Sequence, residues 1–64
     1  MIAKLREYLL RKGGEATSEQ VLDKFDDEIK GKVSIQLIRS MLKEIADFKK
    51  RAGYGFWVLK PEFS

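Results

Sequence analysis

The chain contains no cysteine and no histidine, and only one proline among its 64 residues. Without cysteine there is no disulfide and no thiolate-ligated metal. Without histidine, the commonest general base and the usual zinc ligand are both missing. No apolar run approaches the roughly 18 residues of a membrane span. The N-terminus lacks the apolar h-region of a signal peptide. Sixty-four residues allow one domain. Domains of that size bury only about 60% of their unfolded surface, so every core position counts.

The chain does carry a hydrophobic content of 44% and a net charge of +3 that is unevenly spread. Residues 1–14 hold four basic side chains against one acidic. Residues 15–31 hold two against six, and residues 32–64 hold seven against three. The molecule has an acidic middle and basic ends, so its pI of 9.3 overstates the case for a polyanionic partner.

Periodicity predicts three helices and a hairpin. Ile2, Leu5, Tyr8 and Leu9 make an apolar stripe on a first helix over Ile2–Lys12, closed by Gly13-Gly14. Ala16-Thr17 forms a short extended link. Thr17-Ser18-Glu19-Gln20 matches a capping box, which opens a second helix running to Gly31 with Val21, Leu22, Phe25 and Ile29 inward. A third helix over Ser34–Ala46 centres its core face on Leu37, Ile38, Met41 and Ile45, leaving Gln36, Arg39, Ser40, Lys43 and Asp47 opposite. Phe48–Arg51 then pairs with Phe56–Leu59, the turn supplied by Gly53 and Tyr54-Gly55, and Pro61 ends the strand. Helices closed by one C-terminal hairpin spell an α+β, mostly α, winged helix spanning residues 1–64.

Catalysis finds no foothold. Asp26-Asp27-Glu28 point in different directions on a helix end and read as a solvated surface, not a metal site. Ser18, Ser34 and Ser40 have no histidine to activate them. The glycine pairs lack the strand–loop–helix setting of a phosphate loop. We expect no enzymatic role for this chain, no metal and no cofactor.

Two surfaces remain as binding candidates. DNA would be met by Gln36, Arg39 and Lys43 on the third helix and by Lys49, Lys50 and Arg51 at the base of the wing. The alternative for that basic run is a solvated wing that protects a strand edge. Phe48, Phe56 and Trp57 could act as stacking platforms, but aromatics closing so small a core more often belong to it, Trp57 above all. At the other end, Met1 and Ile2 open the first helix and form an apolar patch if exposed.

The segment from Gly14 to Phe25, with Trp57-Val58-Leu59-Lys60-Pro61-Glu62-Phe63-Ser64, resembles the extreme C-terminus of Cockayne syndrome group B proteins, the Swi/Snf-type ATPases of transcription-coupled DNA repair. That family's end has a G-x-A-S/T-T/S segment opening a helix with an L-x-x-F pattern. It closes on W-K-L-K-P-E-Y/F plus one residue, from which this chain departs at Val58 and in its last residue. Leu42–Phe48 is similar to the family's exit from its third helix. The resemblance implies a C-terminal winged-helix module of a larger, nuclear protein whose ATPase motor lies elsewhere and which acts on stalled RNA polymerase II and chromatin. It also implies ubiquitin, or a ubiquitylated protein, as partner. The apolar pair implicated there falls on Met1 and Ile2, with Leu5 one turn on. DNA is the alternative partner, and RNA polymerase II-associated factors are further ones.

Overall fold

A computed structural model describes all residues, 1–64. The elements run α1 (Ile2–Arg11), β1 (Glu15–Thr17), α2 (Ser18–Lys24), α3 (Asp26–Gly31), α4 (Ile35–Ile45), β2 (Ala46–Arg51) and β3 (Tyr54–Leu59), then one 3₁₀ turn over Pro61–Phe63. The strands form an antiparallel sheet in the order β1-β3-β2. This is the α+β winged helix expected, with differences in detail that bear on the surface.

Local chemistry sets the boundaries. α1 closes as a Schellman turn: the Gly13 N–H donates to the Leu10 carbonyl, and the Gly14 N–H to that of Leu9. Both glycines hold positive φ, at 79° and 98°. The capping box at α2 is reciprocal, with the Gln20 N–H on the Thr17 hydroxyl and the Thr17 N–H on Gln20 Oε1, each at 3.0 Å. The Ser34 hydroxyl caps α4 by accepting the Leu37 N–H at 3.0 Å.

The expected second helix is two. It breaks at Phe25, whose φ of −103° and ψ of 22° interrupt the spiral between α2 and α3. Asp26, Asp27 and Glu28 thereby occupy the first turn of α3, where the helix dipole favours carboxylates. The Phe25 ring at the break points inward, 2% exposed, edge-on to Tyr8 at 6.1 Å between centroids.

The core is Leu5, Leu9, Val21, Phe25, Ile38, Leu42 and Ile45 from the helices, with Ala16, Ala46, Trp57 and Leu59 from one sheet face. Trp57 on the central strand is flanked by Ala16 and by Phe48 in register. On α4 the inward face turns around Ile38, Leu42 and Ile45, which corrects the expectation for Leu37: that side chain is half exposed, at 50%. Leu37 sits about 100° of helical arc from Ile38, on the flank rather than the centre of the apolar stripe.

The hairpin is longer and its turn tighter than expected. Pairing starts at Ala46 and runs to Arg51 opposite Tyr54, so the loop is Ala52-Gly53 alone. Their φ values of 51° and 83° are those of a type I′ turn, whose twist matches the flanking strands. Tyr54 and Gly55 belong to β3 instead. The extended link expected at Ala16-Thr17 is a strand with three register pairs to β3.

Candidate nucleic-acid interface

α4 ends at Ile45 and β2 begins at Ala46, with no loop between them. A helix that runs straight into a strand lays its outer side next to one face of that strand. Arg39 and Lys43, one turn apart on α4, therefore converge with Phe48 and Lys50, two residues apart on β2. Ser18 from the start of α2 and the rim of Trp57 complete an open groove of about 390 Å³.

The three cations of this groove, Arg39, Lys43 and Lys50, are exposed, and none takes part in an ion pair. No carboxylate lines the groove. Asp47 alternates to the reverse face of the sheet, opposite Val58. Gln36 is exposed one turn before Arg39 on the same outer stripe, beyond the groove itself.

The basic run Lys49-Lys50-Arg51 does not act as one patch. Strand alternation sends Lys50 to the groove and Lys49 and Arg51 to the opposite face. There Lys49 pairs in register with Phe56, and the Arg51 guanidinium lies 4.8 Å from the centre of the Phe56 ring. Phe56 is buried at 5% exposure under that guanidinium and beside Tyr54, apart from the main core. Phe56 and Trp57 are thus both structural, on opposite sides of the sheet. Phe48 alone among the three aromatics is open to solvent, at 47%. Its ring tilts against Trp57 at 5.0 Å and covers Gly55 so closely that a β-carbon on residue 55 would strike it.

At the far end, Met1 is 36% exposed, and Ile2 is half-buried against the core. Leu5, grouped with them from the sequence, is fully buried at 0% exposure and has no surface to give a partner. This corrects its assignment: Leu5 packs the core, and any contact at this end of α1 rests on Met1 and Ile2.

The fold and its unpaired basic groove define a winged-helix module. All 64 residues match the family described as the Rad26/CSB winged helix DNA-binding domain. The chain belongs to that family. It is 35% identical over 63 residues to Protein CHROMATIN REMODELING 8 of Arabidopsis thaliana, and 33% identical over 63 residues to DNA excision repair protein CSB of Oryza sativa subsp. japonica. Each match covers 98% of this chain and 5% of the relative, so the chain spans a small part of the length of these proteins. No solved structure matches the chain with significance.

Proposed function

We propose that this module binds DNA through the outer side of α4 and the groove-facing side of the wing. The observation that carries the reading is the convergence of Arg39, Lys43 and Lys50, unpaired and free of carboxylates, on one groove. Cations kept away from acidic partners are available for phosphates, and phosphate contacts set register and orientation on a duplex. Gln36 and Arg39, near the start of α4, are then the side chains nearest base edges, as in helix-turn-helix docking. The family description and the repair and remodelling names of the relatives agree with this setting. The parent protein would act in the nucleus on chromatin and stalled RNA polymerase II, with its ATPase motor outside this chain.

A second reading has its own observation. Met1 is partly exposed beside half-buried Ile2, and the acidic first turn of α3 lies within reach of α1 through Lys4 and Glu28, 4.0 Å apart. An apolar spot with a polar rim suits a small protein partner such as ubiquitin. So small a contact would bind with a Kd of roughly 0.1–1 mM, and a working complex would need avidity.

Backbone amide shifts separate the two. Titration with duplex DNA moves Gln36, Arg39, Lys43 and Lys50 if the first reading holds. Titration with ubiquitin moves Met1 and Ile2 if the second holds. Shifts confined to Met1–Leu5, with no response to DNA, would overturn the DNA reading.

A further inference from the structure

We propose that the groove holds single-stranded DNA, with one unpaired base stacked on Phe48 and the flanking phosphates on Arg39, Lys43 and Lys50. The inference rests on the DNA reading above and adds unpaired DNA to the duplex as a form that the groove takes.

Phe48 is an apolar side chain in a charged, exposed stretch of β2. Its neighbours along β2 are Asp47, Lys49, Lys50 and Arg51, all charged and exposed. A strand that served only as a solvated wing would carry a polar side chain at 48 as well. Instead the position holds a large ring with nearly half its surface in water. It meets the main core at Trp57 but is not one of the core's buried members.

The ring is nevertheless held. One edge rests on Trp57, at 5.0 Å and an interplanar angle of 57°. Beneath it Gly55 provides the space that any β-carbon would take away. A glycine inside a strand weakens that strand, and close approach of another group is one reason to find one. Here the approaching group is the Phe48 ring. Anchored from below and from one side, it keeps an open face toward a groove of about 390 Å³.

That open face is bordered by Arg39, Lys43 and Lys50, and no carboxylate interrupts them. An aromatic platform inside a cationic channel is the arrangement by which proteins hold single strands. The bases stack on the ring, and the backbone follows the charge. In a duplex the faces of the bases are covered by their neighbours and only their edges and the phosphates can be touched. Phe48 has no hydrogen-bonding atom with which to read an edge. A base that is already unpaired is the nucleic-acid group that uses an exposed phenyl face, and the anionic backbone beside it uses the three cations.

The test compares a short dT oligomer with a duplex of equal length, on the full chain, by fluorescence anisotropy. Emission of Trp57, the one tryptophan in the chain, serves as a second readout because its ring touches Phe48. The oligomer is expected to quench Trp57 and the duplex not to. Phe48→Ala and Phe48→Leu should each weaken dT binding about tenfold, while duplex binding changes less than twofold; Phe48→Tyr should keep dT binding. Phe48→Leu retains bulk against Trp57, so agreement between the two variants separates loss of stacking from loss of fold, and amide spectra of both check the fold directly. If the duplex binds but Phe48→Leu leaves dT binding unchanged, or weakens both substrates equally, the inference fails and the DNA reading stands. If neither substrate binds, both fail. Tighter binding of an rU oligomer than of dT would overturn the commitment to DNA.

Discussion

Arg6 and Phe63 are 57 positions apart in the chain, yet the Arg6 Nε–H donates to the Phe63 carbonyl at 2.7 Å. Phe63 packs half-buried against the core beside this bond. The last turn, Pro61–Phe63, is therefore fastened to the first helix after the sheet has ended. Arg6→Ala is expected to lower the unfolding free energy by about 1 kcal/mol, the usual worth of a hydrogen bond that remains partly in water. Urea denaturation measures it, and faster amide exchange at Ser64 should accompany the loss.

The turn of the wing carries a correctable defect. Ala52 holds φ at 51°, a left-handed conformation that penalises a β-carbon by about 1–2 kcal/mol. Glycine there removes the penalty but adds freedom to the unfolded chain, which takes back about 0.4–1 kcal/mol. Ala52→Gly should thus stabilise the domain by about 0.5–1 kcal/mol and raise the thermal midpoint. A lower midpoint would mean that the type I′ turn is not the conformation in solution.

Thr17 joins β1 to α2, and its side chain satisfies an orphan amide of the helix's first turn, that of Gln20. Thr17→Ala removes the hydroxyl that accepts from Gln20 and should cost about 1 kcal/mol. Thr17→Ser keeps the oxygen and should cost much less. Denaturation of the two variants side by side distinguishes the cap from the strand pairing that Thr17 also makes with Phe56.

Burial, assisted by the Asp23 carboxylate, raises the Tyr8 hydroxyl above its ordinary value of 10.0. The hydroxyl also donates to the Gln20 carbonyl at 3.3 Å, a bond that only the protonated form can make. The folded state therefore holds this proton more tightly than the unfolded chain does. The associated stability is fully present below the unfolded pKa and is lost as pH rises through the higher folded one. Denaturation midpoints should fall above the ordinary tyrosine range in the parent and fall less steeply in Tyr8→Phe.

The unequal legibility of the fold has physical causes. The capping box at Thr17, the glycine closure of α1 and the inward turn of Trp57 are local or composition-driven signals, and each is where the residues point. The break at Phe25 escapes periodicity because Val21, Phe25 and Ile29 keep helical spacing across it. Three successive carboxylates at 26–28 were the available sign of a new N-terminus. The turn was displaced by Gly55, whose purpose lies across the strand in Phe48 rather than in the chain reversal. Arg39 and Lys43 were legible as an outward stripe. Their meeting with Lys50 alone, and not with Lys49 and Arg51, depends on the α4–β2 junction having no loop, which strand alternation then resolves into two faces.

Salt dependence of duplex binding tests the central claim most directly. Three cations on phosphates predict a slope of log K against log salt of about −2.7, or roughly 40-fold weaker binding between 50 and 200 mM salt. Replacing Arg39, Lys43 and Lys50 together by alanine should flatten that slope toward zero, while replacing Lys49 and Arg51 should leave most of it. A slope untouched by the first substitution and abolished by the second would contradict the assignment of the binding face.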